Sequence, residues 1–170
     1  GRIRINPAVL SYGDEQTGYP HPDHLRVHDI SIIAWEAAGD PGRFPDAGEP
    51  WTPSKLYYSA WARARFTALH EAFLANELES PFDQKWFDRP SLDHRITTQI
   101  DITGYYAVRS AALRAHATQI DPEERFWFGL SDEIAESAYP YEDYELADSR
   151  VPTTVPEDDL FAGVRDGVPS

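Results

Sequence analysis

Residues 8–38 read AVLSY, then GDEQTGYPHP, then DHLRVHDISIIAWEAA, and this stretch decides the fold class. The opening apolar run predicts a short buried strand. The polar segment after it is rich in glycine and proline, which is typical of a loop. From Asp23 to Ala38 there is no proline or glycine and apolar residues recur at helical spacing, so we predict a well-buried helix over 23–38. A strand, a loop and a buried helix in this order predict an α/β fold.

The rest of the chain continues this alternation. We predict that all strands share one sheet and that the helices pack on it, with further strands at 55–61 and 95–101 and further helices at 61–78 and 104–119. The acidic aromatic run at 139–144 is interpreted either as the border of a pocket or as a solvated edge. Because the last twenty residues are rich in proline and charge, we divide the chain into a domain at 1–150 and a C-terminal tail at 151–170.

The composition argues against several classes of function. Fifteen Lys and Arg residues against 29 Asp and Glu give a net charge of −14, which repels phosphate backbones and anionic lipids. We therefore predict neither nucleic-acid binding nor membrane binding. The chain has no cysteine, so a metal site must use His, Asp or Glu. No long apolar run and no signal pattern is present, which favours a soluble, cytoplasmic protein.

Three of the six histidines fall between His21 and His28, which raises the question of a metal site. A histidine in the first turn of a helix is common, and Asp23 can serve simply as a carboxylate facing the helix dipole. Spacings of three and four residues, however, place imidazoles on one helix face, and imidazole is the commonest metal-binding side chain. If a metal binds, we expect one of His21 and His24 to hold it, while the other does acid/base chemistry and Asp23 orients a ring. His28 is interpreted as a packed histidine or as one that supports a metal ligand. A catalytic zinc needs about three protein ligands, and no other tight cluster supplies the rest.

Four segments of the chain together resemble the mycothiol S-conjugate amidases, which belong to the zinc-dependent LmbE-like, or GlcNAc-phosphatidylinositol de-N-acetylase, superfamily. The segments are GYPHPDHLRVH at 18–28, EAAGDPGRFPDAGEPW at 36–51, SKLYY at 54–58 and ALRAHATQID at 112–121. The resemblance implies a Rossmann-like α/β fold of which this chain is the C-terminal part. It also implies zinc-dependent hydrolysis of the amide between glucosaminyl-inositol and the N-acetylcysteine part of mycothiol S-conjugates, a detoxification reaction. The alternatives are an N-acetyl-glucosaminyl-inositol deacetylase, or a non-catalytic fragment that only associates with its missing N-terminal half.

The same resemblance implies roles for individual residues. His24 matches the zinc ligand, and His21 matches the catalytic histidine that stabilises the oxyanion and protonates the departing amine. Asp23 would orient His21, and Tyr19 would reach the tetrahedral centre. The early His-Pro-Asp-Asp-Glu segment of the family, with the other ligands and the general base, has no counterpart here. His116 lies on a helix whose counterpart in the family ends near the active site, and it is interpreted either as a residue of that site or, preferably, as a core histidine.

The absence of that early segment leads to expectations for the isolated chain. We expect its substrate, a small thiol-sugar conjugate, to be hydrolysed only together with the missing N-terminal half. The 170 residues alone should be inactive and should bind zinc loosely. They should also expose an unpaired edge or face of the sheet. The sequence leaves the oligomeric state open.

Overall fold

The computed structural model describes residues 9–12 and 22–164. In chain order the helices and strands are β1 (Val9–Tyr12), α1 (Pro22–Ala37), β2 (Lys55–Ala60), α2 (Arg63–Ala75), α3 (Gln84–Phe87), β3 (Thr98–Asp101), α4 (Tyr106–Arg114), α5 (Arg125–Phe128), α6 (Asp132–Ala138) and β4 (Tyr141–Ser149). This mixture of helices and strands is compatible with the predicted α/β class. None of the described helices combines the length and the apolar composition needed to cross a bilayer.

The chain divides into two structural units. The first contains the described residues up to Ala60, residues 95–100 and those from Asp143 onward. The second contains residues 61–94 and 101–142. The described candidate site residues, Asp23 and His24, belong to the first unit.

A mixed four-stranded sheet with the order β1-β2-β4-β3 organises the first unit. β1 and β2 are parallel, with Val9 opposite Leu56, whereas β2 and β4 are antiparallel, with a register shift between Leu56 and Tyr57. The three predicted strands thus share one sheet, as expected. The sequence-based prediction missed β4, which lies between β2 and β3.

Helix α1 packs on β1 and carries His24 and His28 in its first two turns. Pro22 suits the first turn because an amide there would have no partner within the helix, and the charge of Asp23 interacts favourably with the helix dipole. The other end of the helix is anchored through Trp35. Its indole Nε1 donates to Asp148 Oδ2 at 2.9 Å, and the guanidinium of Arg150 lies 4.2 Å above its ring.

The prediction that α1 is well buried is wrong for one side of the helix. Trp35 and Ala37 are buried, but Val27, Ile30 and Ile33 are 48%, 56% and 57% exposed. The helix is therefore apolar on two sides, and one of them is open to solvent.

The second unit is a helical cluster built on aromatic side chains. Its buried core consists of Leu69, Phe73, Phe82, Tyr106 and Ala135. Helices α2 and α4 both pack against α6. Packing is tight beside α5, where a Cβ on Gly129 would lie 2.6 Å from the carbonyl oxygen of Arg125 and 2.7 Å from the ring of Phe73, so a larger residue there would clash with both.

Candidate functional site

The described candidate residues lie in the first turn of α1. Asp23 is exposed, and His24 beside it is half-buried. Tyr19 and His21 lie outside the described residues, so their roles stay predictions. The structure thus places one predicted metal ligand and one predicted orienting carboxylate next to each other at the start of a helix.

His28 follows His24 by four residues, so the two imidazoles project from the same face of α1. The ring of His28 packs against that of Tyr58 on β2, with 5.1 Å between centroids, which agrees with the interpretation of a packed histidine. Its Nδ1 is buried and has no hydrogen-bond partner, and no other buried side-chain nitrogen or oxygen of the described residues shares this property. Such an unpaired atom costs about 1–3 kcal/mol. The face of α1 that packs on the sheet therefore carries one buried nitrogen, His28 Nδ1, whose hydrogen bond is not made.

The number of available donors decides whether these residues can hold zinc. A catalytic zinc takes about three protein ligands and keeps one position open. In the part of the chain that the structure describes, no group of three or more His, Cys, Asp or Glu side chains could hold a metal ion. His24, with His28 one turn further along, can contribute one or two imidazole nitrogens. The described residues fit a partial ligand set and do not form a complete metal centre.

The face of β2 that carries Lys55 and Tyr57 contains a buried ionic cluster, formed by these two residues with Thr98 and Glu157. Lys55 and Tyr57 share a face because side chains alternate along a strand. The ammonium of Lys55 is fully buried, pairs with Glu157 Oε1 and donates to the carbonyl oxygen of Ala162 at 3.2 Å. The hydroxyl of Tyr57 donates to Glu157 Oε2 at 2.8 Å. The carboxylate of Glu157 therefore holds both side chains of β2.

Backbone bonds fix Glu157 in this cluster. Its amide donates to the carbonyl oxygen of Thr97 at 2.9 Å, and its carbonyl oxygen accepts from the amide of Gln99 at 3.0 Å. Burial raises the pKa of Tyr57 above its usual range, and the hydrogen bond to Glu157 and its negative charge raise that pKa further. The hydroxyl of Tyr57 therefore stays a donor. We interpret the ionic cluster as structural, because its charged groups are paired with one another.

Sequence reasoning missed the ionic cluster, although two signals were present. A lysine opens an otherwise apolar and aromatic strand at Lys55, and a glutamate at position 157 interrupts a segment rich in proline. Neither signal indicates its partner, because the two residues are 102 positions apart.

The remaining described histidines lie away from α1 in sequence and belong to the second unit. His70 Nδ1 is 2.8 Å from Ser80 Oγ and its ring lies edge-on to Phe87, so its role is structural. His94 is exposed. The interpretation of His116 as a core histidine is wrong, because α4 ends at Arg114 and His116 lies exposed in the turn that follows.

Comparison with known proteins finds relatives along nearly the whole chain. The chain is 43% identical over 168 residues to the mycothiol S-conjugate amidase of Streptomyces coelicolor, a match that covers 95% of this chain and 57% of that protein. It is 39% identical over 170 residues to the 1D-myo-inositol 2-acetamido-2-deoxy-alpha-D-glucopyranoside deacetylase of Streptomyces scabiei, covering 94% of this chain and 51% of that protein. A deacetylase of the same kind from Frankia alni is 34% identical over 169 residues, covering 94% of this chain and 58% of that protein.

No protein-family model matches the chain. The chain spans about half the length of the curated relatives it matches. The resemblance inferred from the quoted segments is nevertheless confirmed, because over nearly its whole length this chain is a relative of the mycothiol S-conjugate amidases and of the 1D-myo-inositol 2-acetamido-2-deoxy-alpha-D-glucopyranoside deacetylases.

Proposed function

We propose that this chain is part of a zinc-dependent hydrolase that cleaves the amide between glucosaminyl-inositol and the N-acetylcysteine part of mycothiol S-conjugates. The observation that carries this proposal is the 43% identity to the Streptomyces coelicolor amidase across 95% of the chain. The 39% identity to the Streptomyces scabiei deacetylase favours a second candidate substrate, the N-acetylated glucosaminyl-inositol. Both reactions hydrolyse an amide on the same amino-sugar, so one set of catalytic groups can serve either.

The proposed roles follow the motif at the start of α1. His24 would be one zinc ligand, and a zinc ion bound there would supply Lewis-acid polarisation of the amide carbonyl. His21 would donate to the developing oxyanion and then transfer its proton to the departing sugar amine. Asp23 would orient His21. Tyr19 would donate a hydrogen bond at the tetrahedral centre.

We further propose that the other zinc ligands and the general base come from the region that the relatives possess beyond their match to this chain. Two observations support this step. The chain spans about half of those relatives, and the described residues do not form a complete metal centre. The 170-residue chain alone is therefore expected to be inactive and to bind zinc loosely. A cytoplasmic location stays a prediction.

Hybrid proteins test these roles. In the amidase hybrid, this chain replaces the 168 residues that it matches in the Streptomyces coelicolor amidase. There His24→Ala should lower both zinc content and turnover, whereas His21→Ala should retain zinc and lower kcat by about 10²–10⁴. His116→Ala, at an exposed turn, is the matched control and should change neither. Atomic absorption and steady-state rates measure both quantities; equal zinc loss in the two variants would show that the roles are divided wrongly.

A second hybrid separates the two substrates. In the deacetylase hybrid, this chain replaces the matched part of the Streptomyces scabiei enzyme. If the chain carries amidase specificity, the deacetylase hybrid should hydrolyse a mycothiol S-conjugate faster than its unaltered host does. An amidase hybrid that instead gains activity on the N-acetylated sugar would favour the deacetylase alternative. Folded hybrids that hydrolyse neither substrate would overturn the proposed function.

A further inference from the structure

The open side of α1 carries a continuous apolar surface, which we call the outer stripe. It consists of Val27, Ile30, Ile33 and Ala34, all exposed. Residues three, four and seven positions apart lie on one face of a helix, so these side chains adjoin one another. They stand on the opposite side of α1 from the ring of His28, which contacts β2.

A helix that is apolar on two sides is typical of a buried helix with neighbours on both. Between Val27 and Ala34, only the side of α1 that carries His28 is covered by the sheet. One turn further along, at Ala37, the other side is buried as well. Among the described residues, strand β1, on which α1 packs, also has a neighbour on one side only. Within residues 9–12 and 22–164 it pairs with β2 on one side and forms the edge of the sheet on the other. An edge strand offers unpaired backbone groups to a further strand. The helix and the strand beside it thus each have one unoccupied side.

We infer that the outer stripe of α1 is the docking surface for the region that the relatives possess beyond their match to this chain. The length of that region supports this occupant, because the match covers 57% of the amidase and 51% of the deacetylase. The docked element presents an apolar face to Val27, Ile30 and Ala34, and a strand of the same region extends the sheet alongside β1. The inference rests on the proposed relation to these longer hydrolases, and it does not depend on which amide they cleave.

This chain has no cysteine, so a thiol introduced into it can be followed by maleimide labelling and mass spectrometry of the peptide that carries it. Ile30→Cys places a thiol in the outer stripe. Glu36→Cys, at an exposed residue on another side of the same helix, is the matched control. Both thiols should react rapidly with a maleimide in the 170-residue chain. In the amidase hybrid, the rate at which the Ile30→Cys thiol reacts should fall by about tenfold or more, because the thiol reacts only when the covering element opens. The rate for the control thiol should not change.

Each outcome of the labelling test decides the inference. Equal rates for Ile30→Cys in the chain and in a folded hybrid would overturn it. Protection that grows with the concentration of the isolated chain would assign the outer stripe to a second copy, which also overturns it. If the hybrid does not fold, a cysteine at the position that matches Ile30 in the intact Streptomyces coelicolor amidase, read by mass spectrometry of the labelled peptide, supplies the same comparison.

The test also separates the inference from the proposed function. A hybrid that protects Ile30→Cys without hydrolysing an amide would support the docking surface and contradict the proposed reaction. A hybrid that hydrolyses the S-conjugate while Ile30→Cys stays reactive would support the reaction and overturn the docking surface.

Discussion

The two faces of strand β2 are buried in different ways. On one face, Lys55 and Tyr57 contact Glu157, and every charge is matched by a partner from the same chain. On the other face, Tyr58 contacts the ring of His28, whose Nδ1 is buried without a partner. Beyond His28, the helix exposes its outer stripe.

This difference separates a region whose interactions are complete within the chain from one whose interactions are not. A buried charge is tolerated only when it is paired and hydrogen-bonded, and the ionic cluster meets that condition. An unpaired buried nitrogen and an exposed apolar helix face both lower stability unless something else completes them. The described candidate site residues, Asp23 and His24, belong to helix α1 and lie in its first turn.

The largest expected effect on stability comes from a substitution in the ionic cluster. Glu157→Ala would leave the ammonium of Lys55 buried without its anion. The hydroxyl of Tyr57 would keep only a long contact of 3.4 Å to the carbonyl oxygen of Leu160. Removing one partner of a buried ion pair costs about 3–5 kcal/mol, so urea unfolding should show a loss of that size. Asp158→Ala, at the exposed neighbour, should change the free energy of unfolding by less than about 0.5 kcal/mol.

A double variant sharpens the same comparison. Lys55→Met combined with Glu157→Gln removes both charges and keeps an acceptor for Tyr57. It should therefore be more stable than Glu157→Ala alone, because no unpaired ion remains buried. If the double variant is the less stable of the two, the pairing of charges does not explain the stability of this face.

The next effect depends on pH and comes from Tyr57. Its pKa is raised in the folded protein, chiefly by burial, so the folded state holds the hydroxyl proton more tightly than the unfolded state does. This contribution is fully present below the ordinary tyrosine pKa of about 10, and it declines above that pH by up to about 1.4 kcal/mol per pH unit. Urea unfolding between about pH 9 and pH 11 should show a shallower decline for Tyr57→Phe, and an unchanged slope would contradict the raised pKa.

A smaller change, a gain in the free energy of unfolding, is expected on the face of β2 where Tyr58 contacts His28. His28→Phe keeps a ring against Tyr58 and removes the unpartnered nitrogen, so the free energy of unfolding should rise by about 1 kcal/mol. The measurement is again urea unfolding at neutral pH. A loss as large as that of Glu157→Ala would show that His28 Nδ1 has a partner and that the two faces do not differ in this way.

The smallest effect concerns the outer stripe. Ile30→Lys places a charge where the side chain is already exposed, so the stability of the 170-residue chain should change by less than about 0.5 kcal/mol. Ile32→Lys, at a partly buried position of the same helix, should cost more than about 1 kcal/mol because the ammonium must be desolvated. Equal costs would show that the outer stripe is covered within the chain itself.

Local sequence patterns were sufficient to predict several elements of the first unit. Helix α1 was predicted at 23–38 and lies at Pro22–Ala37, because its apolar periodicity is uninterrupted and its start and end carry ordinary signals. Strand β2 was predicted at 55–61 and lies at Lys55–Ala60. The position of His24 in the first turn of α1 follows from the same pattern.

Strand β4 could not be predicted, because its acidic residues are neutralised by partners far away in sequence. Glu142 pairs with Arg65 at 3.3 Å and with Arg109, and Glu145 pairs with Arg95 at 2.8 Å. Read locally, an acidic run of this kind predicts a solvated edge. The candidate site has the same limit, since the sequence places His24 on a helix but cannot supply ligands that lie outside the described residues.

The position of Glu157 along the chain has a consequence for the order in which the protein is made. The second unit draws only on residues between Trp61 and Glu142, so all of its contacts are available before residue 157 has been synthesised. The first unit must wait, because Lys55 has no anion until Glu157 emerges. At a translation rate of about 5–20 residues per second, the second unit is complete about a second or more before Glu157 is added. We therefore expect released chains that end before residue 157 to protect Phe73 of the second unit from protease while the peptide around Lys55 is still cleaved.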